Sequence, residues 1–579
     1  MGSLRVPSAG PGSNLFKDGY NMHSGIEEAV IRNIHAVVEL AEIVRTPRAI
    51  ATGPNGRNKM VINHLERLFV TSDAATIIRE LEVVHPAGKV LVMASQQQEA
   101  EMGDRTNLVL ILAGELLRKA EYLLTMGLHP SEVVLGYEMA RDRAIDELEK
   151  LSIRTLETPL TDASLQLALK PTLASKQYGS EDLLSKLVAE AVMAVMPKNP
   201  KNFNVDNVRV VKILGGGLSQ SRVVRGMVFG REPEGTVLKA ANAKVGVFTC
   251  GIDIAQTETK GTVLLKNSEE LLNFSRGEEK HMEKVRVDAD IECSVPFRKL
   301  ISITTCQCTV QIFQELADSG LNVVVAGSSI GELALHYLNR HGILVIKVLS
   351  KFDLRRLCRV VGATPLARLG APTIDEMGQC DIVETVEIGG DRVTVFRQAD
   401  ETTRTATVVV RGATTNQMDD IERAIDDGVN VVKGILKDAR LVAGAGATEL
   451  ELAKRIAEIG EKTPGLAQHA IKRFADALEV VPRTLAENAG LDATETLSRL
   501  YAAHQADERG VIGVDIEGEN GGLIDAEKHK IFDLLAATRW ALRYGTDAAV
   551  SVLRVDSIIM SRQAGGPAPP KQNPNWDED

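Results

Sequence analysis

Gly103-Asp104-Arg105-Thr106-Asn107 stands directly before the apolar run Leu108–Ala113. The stretch reads as a tight turn that opens a long helix, with a carboxylate inside the turn. Helix N-termini attract anions, because free N–H groups and the macrodipole point outward there. A carboxylate alone at such a place is an N-cap. Beside a bound phosphate it would be repelled, unless a divalent cation bridged the two. Two readings follow: an ordinary cap, or a metal–nucleotide turn.

The rest of the chain narrows the class. A length of 579 residues predicts several domains with sizeable cores. The apolar and charged fractions, 44% and 25%, are those of a soluble globular protein. A net charge of −11 argues against a nucleic-acid partner and against an anionic membrane surface. Six scattered cysteines make no disulfide framework, which points to a reducing, cytosolic compartment. Residues 1–14 are polar and lack an apolar signal core. Met1-Gly2-Ser3 resembles a myristoylation start, but Val6 stands where Ser or Thr is wanted. The apolar runs are too short to span a bilayer.

Helical spacing of apolar residues predicts helices over Ile26–Val44, Thr106–Met126 and Ser131–Leu151. Gly215-Gly216-Gly217 and Gly389-Gly390 are glycine junctions, read either as domain hinges or as plain hairpin glycines. Between them Val223–Phe229, Val245–Phe248, Val263–Leu265, Val323–Ala326, Leu344–Val348 and Ile382–Ile388 read as short buried strands. Helices resume from Asp419, through Leu452–Ile459, Ile471–Leu478 and Asp525–Tyr544. The order helical, mixed, helical predicts one discontinuous helical domain built from both chain ends, with α/β material inserted. The Pro-rich end, residues 563–579, reads as disordered.

One segment does not fit. Val285–Gln311 has no helical period and holds three of the six cysteines. Without it, Met282, Ile312, Phe313, Leu316 and Ala317 fall at i, i+3, i+4, i+7 and i+8, one amphipathic face closed by Gly320. A segment starting with Val and ending with Gln matches an intron read through in frame, GT at one end and CAG at the other. Sequencing the transcript tests this. The competing reading, a metal site at Cys306-Gln307-Cys308, lacks a second ligand pair.

Three further pieces carry possible chemistry. Gly53-Pro54-Asn55-Gly56 is a turn after a helix, Asp73 in Thr71–Thr76 is placed as an N-cap, and Asp426-Asp427-Gly428 lies on a helix face. The P-loop spacing Gly-x-x-x-x-Gly-Lys-Ser/Thr is absent.

In this order the pieces resemble the group II chaperonins of the eukaryotic cytosol. The resemblance runs from Asn14 to about Arg562 and includes Arg411–Thr414, Asp420–Asp427, Gly444-Ala445-Gly446-Ala447-Thr448-Glu449 and Gly522–Asp525. Phe248–Asp253, Thr257–Val263, Ser221–Gly226 and Arg554–Asp556 look like a single paralogous branch of that family. The implied fold is multidomain α/β. It has a discontinuous, mostly α-helical equatorial domain (1–150 and 413–562) and a small α/β intermediate domain (151–222 and 376–412). An α/β apical domain (223–375) would carry a helical lid protrusion near 252–284, followed by the atypical 285–311 segment.

The resemblance also implies roles. Gly53 and Pro54 line a nucleotide pocket. Asp104 ligates Mg2+, in a turn formed by Gly103 and Arg105, and backbone N–H groups near Thr106 and Asn107 hold the phosphates of ATP. Asp73 and Asp427 orient or deprotonate the attacking water. Gly444, Ala445 and Gly446 approach the ribose and adenine, and Asp525 hydrogen-bonds the sugar. The implied activity is Mg-dependent ATP hydrolysis driving protein folding. The implied partners are paralogous subunits, in two stacked rings of eight, and non-native clients such as actin and tubulin. No nucleic acid or membrane is implied.

Two positions depart from the family pattern. Arg105 and Ala445 each replace a glycine. If residue 105 has φ > 0, arginine there costs about 1 kcal/mol or more. Its side chain would then either block the phosphates or add a cation to them. The methyl of Ala445 would crowd the nucleoside. These departures favour an alternative: a structural ring member that binds ATP but hydrolyses it poorly.

Overall fold

The computed structural model describes residues 21–24, 29–45, 58–157, 160–252, 313–398, 405–506, 509–517 and 522–560. Gly53 and Pro54, the lid region, the 285–311 segment and the 563–579 tail lie outside these residues. The chain forms two compact bodies. One comprises residues 1–158, 174–178 and 438–579; the other comprises 159–173 and 179–437.

The first body is a helical assembly around Thr106–Thr125. Every residue of Leu108–Ala113 is buried, so the N-terminal half of this helix is apolar all round and lies inside, while Glu115, Arg118, Lys119 and Glu121 mark a polar face in its second half. Ile31–Arg45, Pro86–Met102, Pro130–Lys150, Ala467–Leu478 and Leu535–Leu553 surround it. Tyr137 and Phe474 meet edge-to-face at 6.0 Å. The Tyr137 hydroxyl donates to Leu116 O at 2.8 Å, which satisfies its one polar atom inside the core. Among the described residues, no helix is long and apolar enough to cross a membrane.

Four small sheets brace this body among the described residues; in one, Asn21–Ser24 pairs with Ser557–Met560. Arg440–Ala443 pairs with Phe532–Leu534 and Arg154–Thr155, Ile512–Val514 pairs with Leu523–Asp525, and Lys59–Ile62 pairs with Leu68–Thr71. The helix expected over Asp525–Tyr544 is corrected here: a strand ends at Asp525, a turn follows, and the helix starts only at Leu535. The Asp525 carboxylate accepts from the N–H groups of Glu527 (3.1 Å) and Lys528 (3.2 Å), and that side-chain turn competes with helix.

The second body holds a mixed eight-stranded sheet. Its strand order is Val208–Leu214, Ala406–Gly412, Arg222–Phe229, Asp391–Arg397, Gly378–Ile388, Lys239–Phe248, Val323–Ala326 and Leu344–Lys347. The last three strands run parallel, as expected of short, continuous apolar runs covered on both faces. The two glycine junctions meet beside Arg411, whose Nε donates to Gly215 O at 2.7 Å. Gly389 has φ 70°, and a side chain there would begin 2.7 Å from Leu214 O, so only glycine fits there. Phe313 and Leu316, at the foot of the interrupted amphipathic face, are both buried.

Candidate nucleotide site

The helix Pro86–Met102 ends at Gly103 (φ 73°), and Arg105 (φ 63°) opens Thr106–Thr125. Two left-handed residues flanking Asp104 reverse the chain within one step. Gln98 Nε2 fixes the turn by donating to Asp104 O (2.9 Å) and Ala537 O (3.2 Å). Asp104 Oδ1 accepts from Arg105 N–H at 2.7 Å.

Asp73 caps the helix Ala74–Glu80 and is buried. Its Oδ2 accepts from Thr76 N–H (2.9 Å) and Thr76 Oγ1 (2.8 Å), and its Oδ1 accepts from Thr106 Oγ1 (3.2 Å). Asn107 Oδ1 accepts from Ala74 N–H at 3.2 Å. The Gly103–Asn107 turn and the Asp73 cap are therefore one constellation, although the two Asp residues lie far apart in the chain. Burial works against the Asp73 charge, but Lys176, Thr76 and Thr106 outweigh it and hold the carboxyl below its usual range. Lys176 Nζ lies 3.9 Å from Asp73 Oδ1. Sequence reasoning missed this lysine, because no spacing or motif ties it to residue 73.

Gly444-Ala445-Gly446 joins the strand Arg440–Ala443 to the helix Ala447–Lys462. Gly444 N–H donates to Ile531 O at 3.0 Å, and Ala445 O accepts from Val514 N–H at 2.9 Å. Ala445 has φ 56°, a conformation that costs a non-glycine residue roughly 1 kcal/mol. Its methyl is received by Gly513, where any side chain would begin 2.7 Å from Ala445 Cβ. Asp525 ends the strand paired with Ile512–Val514, so it shares one small sheet with the residues that hold Ala445. Burial opposes its charge, yet Lys528 (Nζ at 3.0 Å) and two N–H groups hold it below the ordinary carboxylate value.

Arg105 connects the two regions. Its Nη1 donates to Glu449 Oε1 at 2.6 Å, and its Nη2 donates to Asp533 Oδ2. The Glu449 side chain is 1% exposed and that of Arg105 12%. Asp533 Oδ2 lies 3.1 Å from where a Gly444 side chain would begin. Burial opposes the guanidinium charge, but Asp533 and Glu449 outweigh it and hold its pKa above the ordinary value. Burial pushes Asp533 up to about 6, against the pull of Arg105 and with Glu449 and Asp104 adding like charge. Sequence offered two places for this side chain, across the phosphates or as a cation beside them. The structure turns it to a third, onto two acids next to the Gly444–Gly446 loop.

Asp427 belongs to the other body, buried on the helix Thr415–Lys437. Gly53 and Pro54 lie outside the described residues.

The donor set suits a magnesium nucleotide. A half-buried carboxylate stands at the start of a 20-residue helix, next to a buried cap aspartate and a lysine. Among the described residues no three acidic, histidine or cysteine side chains form a cage of their own.

The whole sequence has close relatives. "Probable T-complex protein 1 subunit theta" of Schizosaccharomyces pombe is 54% identical, with 100% of both chains covered. "T-complex protein 1 subunit theta" of Saccharomyces cerevisiae is 51% identical over 100% of both, and that of Homo sapiens 49% over 100% of this chain and 99% of its own. Theta is the branch that the Phe248–Asp253 and Thr257–Val263 motifs resemble. The sequence model of the TCP-1/cpn60 chaperonin family matches residues 40–295 and 298–563, with its break inside the 285–311 segment. On this match and these full-length identities, the chain belongs to the TCP-1/cpn60 chaperonin family.

Proposed function

We propose that this chain is an ATP-driven folding subunit that works in the cytosol. In this reading Asp104 holds Mg2+ and the N–H groups at Thr106 and Asn107 hold phosphate oxygens. Mg2+ held there would supply positive charge to neutralise the transferring phosphoryl group. Asp73, kept ionised by Lys176, Thr76 and Thr106, accepts a hydrogen bond from the attacking water and aligns it. Asp427 is the second aligning carboxylate. Gly444–Gly446 and Asp525 take the ribose and adenine, and Gly53 and Pro54 line the pocket. The observation that carries this reading is the joining of the Asp104 turn to the ionised Asp73 cap by Thr106 and Asn107.

The domain roles follow the three-part division: a nucleotide-holding equatorial part, a hinge-bearing intermediate part and an apical part with a lid. The partners in this reading are paralogous subunits in a double ring of eight each. Supporting this, the hairpin Lys59–Ile62/Leu68–Thr71 exposes Met60 (68%) and Ile62 (65%) on a two-stranded sheet, an edge that needs covering. The clients are non-native chains of the actin and tubulin kind. Supporting that, the second body exposes Phe352 (74%) and Ile374 (82%).

ATP turnover by an assembled ring carrying Asp427→Ala in this subunit alone tests the reading. We expect the ring's rate to fall by this subunit's share. An unchanged rate supports the second reading, a ring member that binds nucleotide without turning it over. The observation favouring that second reading is the engagement of Arg105 by Glu449 and Asp533.

A further inference from the structure

We infer that Arg105 is a latch. Its guanidinium ties the Gly103–Asn107 turn to the Gly444–Gly446 loop through Glu449 and Asp533, and a nucleotide must loosen this tie to bind. The inference rests on the reading that these two segments take the two ends of one nucleotide.

The turn contributes Arg105, the helix Ala447–Lys462 contributes Glu449, and the strand Phe532–Leu534 contributes Asp533. One side chain therefore pins three elements, and both of its bonds are charge-assisted and shielded from water. Arginine sits at φ 63°, where glycine would be unstrained, so the conformation is kept against a steric penalty. The two ion pairs account for that.

The charge inventory points to competition. A single guanidinium faces Asp104, Glu449 and Asp533. Glu449 Oε2 is buried and has no hydrogen-bond partner among the described residues, so the acids already exceed the donors around them. A phosphate chain arriving at the Asp104 turn adds more negative charge within reach of the same cation. It must also draw Arg105 N–H away from Asp104 Oδ1 if that N–H is to hold phosphate. Nucleotide and carboxylates thus compete for one residue, and the latch weakens nucleotide binding while it stiffens the nucleotide-free protein. Arg105 is in this sense a positioning residue.

The test measures the thermal midpoint and Mg-ADP affinity of the full-length chain. Three variants are compared with the parent: Arg105→Gly; Arg105→Lys; and Arg105→Gly combined with Glu449→Gln and Asp533→Asn. Arg105→Gly lowers the nucleotide-free midpoint and strengthens Mg-ADP binding about tenfold, the order of one charge-assisted hydrogen bond. Arg105→Lys, which keeps the charge but not the two-pronged geometry, falls between. The triple variant, which removes the stranded acids as well, regains the midpoint and keeps the stronger binding, so the test survives if Arg105→Gly fails to fold. If the parent binds Mg-ADP and the variants that fold bind it equally or less well, the latch is overturned alone. If neither the parent nor any variant binds Mg-ADP, the nucleotide reading falls and the latch with it.

Discussion

The Gly103–Asn107 turn and the Gly444–Gly446 loop meet the same difficulty and resolve it differently. Each carries a non-glycine residue at positive φ, Arg105 at 63° and Ala445 at 56°. In the loop the extra atoms are one methyl, and the neighbouring strand makes room by having no side chain at Gly513. In the turn the extra atoms are a charged side chain, and the surroundings supply two carboxylates for it. Steric excess is absorbed by a local deletion. Electrostatic excess is absorbed by partners drawn from distant parts of the chain.

The comparison breaks most easily on the electrostatic side. Glu449→Ala leaves Arg105 with Asp533 alone in a water-poor site. We expect a loss of about 3 kcal/mol, at the lower end for breaking a buried pair because one partner remains. The urea midpoint of the full-length chain reads this; a loss under about 1 kcal/mol would reduce the Arg105 ties to surface ion pairs.

On the steric side, Gly513→Ala brings two methyl groups to within 2.7 Å. We expect a loss of about 2 kcal/mol from overpacking. The same substitution in an Ala445→Gly background should recover only part of that loss, because the carbonyl oxygen of residue 445 also lies 2.7 Å from that Cβ position; partial rescue is the discriminating result. Additive losses would mean that Gly513 is glycine for some other reason.

The smallest effect concerns Asp73. Its folded pKa lies below that of a free aspartate, so the charged form is favoured by folding. The stabilisation is therefore complete above the unfolded value and lost as pH falls through the lower folded one. Asp73→Asn should flatten the acid limb of the stability curve below about pH 4 and leave its slope near neutrality unchanged. A slope that changes instead between pH 5 and 7 would contradict the assignment of Asp73 as an ionised cap.

Much of the fold was legible in the sequence wherever one residue type repeats at a fixed period. The Thr106 helix, the helix from Pro130 and the strands Val323–Ala326 and Leu344–Lys347 follow directly from apolar spacing. The misreading of Asp525–Tyr544 came from a different source. A three-residue strand and a side-chain turn are too short to carry a period, and the strong helix behind them extends its pattern over them. Among the candidate site residues, Asp104 and Asp73 stood out in the sequence because each sits at a recognisable turn or helix start; Gly444 and Asp525 were named only by the family resemblance, because a short loop and a strand end carry no period.

The sequence by itself determined the two-ended helical organisation, the mixed sheet between and the candidate turns, because these depend on neighbours along the chain. Only the tertiary structure decided that Lys176 stands at Asp73 and that Arg105 reaches Glu449, 344 positions away, and Asp533, 428 positions away. Charge pairing in a shielded site depends on distance through space and on exclusion of water. Neither is written in the order of the residues.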